Sequence, residues 1–258
     1  MPRSLPVGLG DLAAAREQHA VLAYVISTFH NPTGSVLPPL ARRALVQAAA
    51  AAGIPLIDDE VLSDLAFPGV QVPPPLAAYA DGVISGGSLS KSIWGGLRIG
   101  WVRAPEPLTA RLARLLAVHD LGGNVPAQLA AAAELVPRLD ELSARQAPAR
   151  QARHDHLRAE LARHLPGWNA PPVPGGQTLW VRLPYGDGTS FAQTALRHHV
   201  AILPGSSLDA SGQSQDYLRL HFVARADDLT EAVKRLADAW RACHPPRSPA
   251  ISPPAMSV

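Results

Sequence analysis

Four short apolar runs constrain this chain more than any other feature. Residues 21–26 (VLAYVI), 54–57 (IPLI), 83–84 (VI) and 99–102 (IGWV) are continuous rather than alternating, and a helical stretch at 40–52, closed by Gly53, separates the first two. A strand that alternates apolar and polar residues keeps one face in water, whereas a strand apolar throughout is buried on both, as in parallel sheets sandwiched by helices. The expected class is α/β, with a mostly parallel sheet covered on both faces. Each run empties into polar residues: the first into FHNPTG (29–34), the second into Asp58-Asp59-Glu60, the third into SLSK (88–91), with GGLR (95–98) following. Open α/β sheets take ligands at the carboxyl ends of their strands. A carboxylate, a lysine, hydroxyls and an arginine are therefore expected to converge at one sheet edge.

The pattern changes beyond residue 108. Helices are expected at 108–119, 126–135 and 137–164, and residues 11–19 read as the end of another. QTLWVRL (177–183) and YLRLHFV (217–223) alternate as half-buried strands, with a helix at 191–199 and a strand at 200–203 between them. Residues 227–243 form an amphipathic helix with Leu229, Val233, Leu236 and Trp240 on one face. This later part reads as a small α+β unit, and 244–258, rich in proline and serine, as a disordered tail.

Composition excludes several classes. With 258 residues, 47% hydrophobic and 17% charged, the chain can bury a core. Its pI of 9.0 comes from scattered arginines with no cluster longer than Arg42-Arg43, which argues against nucleic-acid binding. The single Cys243 excludes an intrachain disulfide and a multi-cysteine metal site. No uncharged apolar run reaches the ~18 residues of a membrane span, and residues 1–10 lack the pattern of a secretory signal. A cytoplasmic location is the expectation. The pairs His154/His156 and His198/His199 lack zinc-ligand spacing and read as helix-surface residues, and Trp94, Trp101, Trp168 and Trp180 as packing residues. Of 23 basic residues only two are lysines, Lys91 and Lys234. Lys234 falls on the terminal amphipathic helix and reads as a surface residue.

HNPTG (30–34), IDDEV (57–61), SLSK with GLRIGW (88–91 and 96–101) and LRLHF (218–222), in this order, resemble the fold-type I pyridoxal 5′-phosphate enzymes of the class I/II aminotransferase family. The nearest branch is the aminotransferase-like domain of MocR-type regulators, in which a winged helix of the GntR family is fused to this fold. The resemblance runs to about residue 242. It implies a partial large cofactor-binding domain over 1–136, and a connecting helix plus small carboxyl-terminal domain over 137–243.

What the resemblance implies for each residue also makes chemical sense. The cofactor's aldehyde needs a primary amine for its internal aldimine and for the proton shuttle, which arginine cannot supply; Lys91 stands there. A carboxylate must keep the pyridine nitrogen protonated. Any of the acids 58–60 suits that task, and the family register selects Asp59. Ser88, Ser90 and Arg98 suit the phosphate. A nucleotide P-loop is excluded, because Ser90 and Ser85 stand where that motif requires glycines. Asn31 aligns with the asparagine that donates to the 3′-oxygen, and Arg219 with the arginine that holds the substrate carboxylate. No metal is implied. An amino acid and a 2-oxo acid are the implied substrates, and a homodimer the implied assembly.

Two departures stand out. Leu62 occupies the place of a tyrosine that tunes the aldimine in many members. The part of the large domain that precedes the HNPTG strand in the family has no counterpart here, so the chain reads as amino-terminally truncated. Three functions follow as expectations: a transaminase domain, the effector-sensing half of a regulator, or an inactive remnant.

Overall fold

The computed structural model describes residues 19–209 and 211–243. The expected helix end at 11–18 and the tail at 244–258 lie outside the described residues. The contacts divide the chain into two compact units, one built from 19–154, Pro172–Leu179 and His221–Val223, the other from Asp155–Pro171, Trp180–Leu220 and the residues from Ala224 on.

In the first unit, β1 (Ala23–Val25), β2 (Leu56–Asp59), β3 (Ile84–Ser88) and β4 (Gly100–Arg103) form one sheet in that order. The pairings β1–β2 and β2–β3 are parallel, as the apolar runs predict, whereas β4 returns antiparallel to β3. Helix α1 (Pro39–Ala52) crosses from β1 to β2. Prolines at its start bring a preset φ and lack only N–H groups that no helical partner would satisfy, and Gly53 at φ 65° ends it by donating its N–H back to Ala49 and Ala50.

Helix α1 and a single 3₁₀ turn at Leu76–Ala78 cover one face of the sheet. Val25, Leu45, Val46, Ala49, Leu56, Leu76 and Val83 form the core there. Among the described residues the other face is uncovered at Tyr24, which is 58% exposed, and at the exposed Gly100 and Val102 of β4. The described residues thus show cover on one face of this sheet. Apolarity of a short run shows that a strand avoids water on average and does not show which face its neighbours reach.

Helix α2 (Leu89–Ser92) lies between β3 and β4, and after β4 come α3 (Glu106–His119), α4 (Val125–Ala130) and α5 (Leu139–His164). No residue of α3 is buried. The helix expected at 126–135 winds out into a π turn over Ala131–Leu135 and a 3₁₀ turn over Val136–Arg138, since Pro137 cannot donate to the α ladder.

In the second unit a sheet in the order β5 (Thr178–Arg182), β7 (Tyr217–His221), β6 (Leu203–Pro204) accompanies α6 (Gly188–Arg197) and α7 (Ala226–Cys243). The strand expected at 200–203 is found as the two residues Leu203–Pro204. Helix α7 buries Leu229, Val233 and Leu236 along the predicted face, and Lys234 is exposed. Trp168 is buried, its ring edge-on to Phe191 and Trp240 at 5.4 Å, and Trp180 stacks on Tyr217 at 5.1 Å. Trp94 and Trp101, at 67% and 42% exposure, depart from the expected packing role. His154 is corrected in the opposite direction: it is buried, its Nε2 accepts the Val173 N–H at 3.3 Å, and its ring lies against Phe67 and Phe222.

Candidate functional site

Because β1, β2 and β3 are parallel, their carboxyl ends share one edge. Side chains alternate along each strand, and residues paired across strands point the same way. The register pairs Val25 with Asp58 and Asp58 with Ser85, which puts these three on the core face; it pairs Asp59 with Gly86 and Gly86 with Val102, which puts those on the open face. The three adjacent acids are thereby sorted. Asp58 is fully buried, its Oδ2 accepting the Leu76 N–H at 3.0 Å, with no hydrogen-bond partner for Oδ1 among the described residues. Asp59 lies half-buried on the open face; its Oδ1 accepts the Val61 N–H at 2.9 Å and its Oδ2 accepts the Tyr24 hydroxyl. Burial pushes the Glu60 carboxyl above its ordinary value, and the nearby Asp58 and Asp64 charges add to that.

Beside Asp59, the face is bare at Gly86. A Cβ added there would meet nothing nearer than the Trp101 carbonyl at 4.0 Å. Two residues on, Ser88 caps α2: its Oγ accepts the Ser90 N–H at 3.1 Å, so the backbone turns and projects Ser90 and Lys91 from the end of the strand. Lys91 is exposed, and Ser92 is anchored beneath it, its hydroxyl donating to Asp64 Oδ2 at 3.1 Å. Arg98 follows the 3₁₀ turn Gly95–Leu97 in the left-handed conformation, φ 55° and ψ 32°. For a residue with a Cβ this costs about 1 kcal/mol or more and is retained where the surroundings require that backbone.

The loop after β1 is held on every side. His30 donates its N–H to Ser35 and accepts that of Gly34 on its carbonyl, closing HNPTG into a turn with a cis bond between Asn31 and Pro32. His30 Nδ1 and Ser35 Oγ each lie within 2.9 Å of Thr33 Oγ1, and burial holds the His30 imidazole below its ordinary value. Thr178 Oγ1 donates to the Pro32 carbonyl at 3.2 Å, while Asn31 itself is exposed. Gly34 has φ 68°, and a Cβ there would lie 2.3 Å from Val173 Cγ1. Phe29 is buried at φ 50° against Gly175 and Gly176.

The fork beneath this loop is Arg42, which the sequence reading did not single out. It is fully buried in α1, and its five N–H groups meet five acceptors: Leu37 O at 2.8 Å, Ser27 Oγ at 3.1 Å, Pro74 O at 3.0 Å, Ser27 O at 2.9 Å and Thr28 Oγ1 at 2.7 Å. A signal was present, since Arg42 falls three, four and seven residues before the buried Leu45, Val46 and Ala49. Tyr24 was also missed; its meeting with Asp59 depends on register, which one strand's sequence does not carry.

Asp59, Ser88, Ser90, Lys91 and Arg98 thus belong to one sheet edge of the first unit. Arg219 lies on β7 in the second unit, where burial pushes its guanidinium below its ordinary value. The donor set at the edge consists of a carboxylate for a ring N–H, a primary amine for an aldehyde, and hydroxyls and a guanidinium for a phosphate. It fits the cofactor that the resemblance implies, and the bare strip at Gly86 leaves room for a flat ring beside the carboxylate. Among the described residues no three histidine, cysteine or acidic side chains converge to hold a metal ion, and no described helix is long and apolar enough to cross a membrane.

The sequence pattern of the family described as aminotransferase class I and II matches residues 9–236. An uncharacterized HTH-type transcriptional regulator of Bacillus subtilis, YisV, is 30% identical over 247 residues, covering 91% of this chain and 49% of the regulator. Arginine–pyruvate transaminase AruH of Pseudomonas aeruginosa is 34% identical over 220 residues, covering 83% of this chain and 55% of that enzyme. Among solved structures, the α-aminoadipate aminotransferase LysN of Thermus thermophilus, complexed with N-(5′-phosphopyridoxyl)-L-leucine, superposes with a TM-score of 0.79 at 27% identity, over 90% of this chain and 62% of that one. The chain spans about half the length of the curated relatives it matches.

Proposed function

The chain belongs to the class I and II aminotransferases, and from that membership we propose that it is the pyridoxal 5′-phosphate-binding part of a transaminase that moves an amino group between an amino acid and a 2-oxo acid. The observation that supports this most directly is the open sheet face, where Asp59 and Ser88 flank a glycine with free space above it and the strand runs straight into Lys91. When bound, the cofactor supplies an electron sink through its protonated ring.

The chain's own residues have distinct tasks. Asp59, a carboxylate with one oxygen fixed by a backbone N–H, accepts the ring N–H and favours its protonated form. Lys91 Nζ, the one primary amine at this edge, would be the covalent anchor and would accept the proton that leaves the substrate α-carbon and hand it on. Ser88, Ser90 and Arg98 orient the phosphate, and the Arg98 guanidinium offsets its charge. Asn31 donates to the ring's phenolic oxygen, and Arg219 takes the substrate carboxylate as a bidentate pair. The homodimer rests on the resemblance.

Mixing the purified chain with the cofactor is expected to give an absorbance band at about 400–430 nm that borohydride bleaches. A wild-type chain without the band, or a Lys91→Ala variant that keeps it, overturns the proposal. The similarity to YisV over 91% of the chain favours a second reading, the effector-sensing half of a winged-helix regulator. Sustained conversion of an amino donor with 2-oxoglutarate by the full-length protein supports the transaminase. Capture of an amino compound without turnover supports the sensor.

A further inference from the structure

We propose that Tyr24 is a positioning residue for Asp59, holding the carboxylate in the orientation that receives the cofactor's ring N–H. The inference rests on the assignment of Asp59 above and goes beyond it. Tyr24 pairs in register with Ile57, so its side chain rises on the same face as Asp59, one strand over and two residues back. From strand spacings that offset is roughly 8 Å between Cα atoms. A phenol is long enough to bridge it, and the Tyr24 hydroxyl donates to Asp59 Oδ2.

Among the described residues packing gives no alternative reason for a tyrosine here, since 58% of it is exposed. The contact completes a clamp. The Val61 N–H fixes Oδ1 and the phenol fixes Oδ2, so the carboxylate plane cannot rotate, while each oxygen keeps a second lone-pair direction. The donor is also permanent: burial, then the hydrogen bond and charge of Asp59, push the Tyr24 phenol up to about 12, so it stays protonated wherever the protein is folded and active.

The test is a double-mutant cycle on cofactor affinity, measured by equilibrium dialysis of pyridoxal 5′-phosphate against the 258-residue chain, together with a phenol titration of the cofactor-free protein by ultraviolet absorbance. Tyr24→Phe, which removes only the hydroxyl of a half-exposed ring, is expected to weaken binding about tenfold, the size of one hydrogen bond to a charged group. Asp59→Asn weakens it more, and adding Tyr24→Phe to Asp59→Asn changes nothing further. A general structural effect of Tyr24 would instead add to that of Asp59. In the titration, Asp59→Asn is expected to lower the highest-titrating phenol from about 12 by the share that the Asp59 hydrogen bond and charge add to burial. Unchanged affinity in Tyr24→Phe beside a weakened Asp59→Asn, or simple additivity, overturns the role of Tyr24 and leaves the function standing. Unchanged affinity in Asp59→Asn overturns the assignment of Asp59 itself.

Discussion

Replacing Arg42 tests whether this guanidinium is a fork rather than a charge. Its five donors serve five acceptors in a site closed to water, with no salt-bridge partner within reach among the described residues. Burial pushes the guanidinium below its ordinary value, and the Asp58 charge offsets this in part. In Arg42→Met the Ser27 and Thr28 hydroxyls can turn to other partners, and Ser27 O keeps the Leu37 N–H at 2.9 Å. The carbonyls of Leu37 and Pro74 are left without their donor. Both carbonyls are only part-buried, so the two orphaned acceptors cost about 2–4 kcal/mol, while relief from burying a cation returns part of that. The expected net loss is about 2 kcal/mol.

Lysine keeps the charge but offers three donors from one point, so Arg42→Lys still orphans an acceptor and desolvates a more strongly hydrated cation. It should cost no less than methionine. Urea unfolding followed by circular dichroism gives the loss as a shift in midpoint, and amide exchange at Leu37 should quicken while Leu229 in the second unit keeps its protection. An Arg42→Lys variant within ~1 kcal/mol of wild type would show that the guanidinium acts as a charge and not as a fork.

Other perturbations follow from the same packing. Gly34→Ala meets both the penalty of φ 68° and Val173 Cγ1 at 2.3 Å, and a loss of about 2–4 kcal/mol is expected by denaturant titration. Burial raises the Asp64 carboxyl above its ordinary 3.8, so its ionised form is the disfavoured one in the fold and native stability falls as pH rises from that value through the folded-state value. Asp64→Asn, which can still accept from Ser92, should therefore be more stable than wild type at pH 7, with the difference closing toward pH 4; a difference that grows on acidification would contradict this. Tyr185, at the surface end of the aromatic cluster and 53% exposed, should tolerate alanine within about 1.5 kcal/mol, whereas Trp168→Ala, buried between Phe191 and Trp240, should cost about 3–5 kcal/mol by the same measurement.

The sequence by itself determined the element order, the parallel core of the first sheet and the chemistry of its strand ends. Apolar runs, glycine caps and polar loop residues are local signals, and each is governed by backbone geometry within a few residues. It could also single out Lys91, because among the strand-end residues only a lysine supplies a primary amine. What it left open were relations across strands. Asp58 and Asp59 are chemically identical neighbours, and only the pairing of β2 with β1 and β3 turns one into the core and the other toward the open face. Tyr24 reads as one more apolar strand residue until register sets it beside Asp59, and His154 reads as a helix-surface residue until Phe67, Phe222 and Val173 close around it. Such contacts join residues far apart in sequence. Their energy is settled by which faces the fold brings together, and tertiary structure alone decides that.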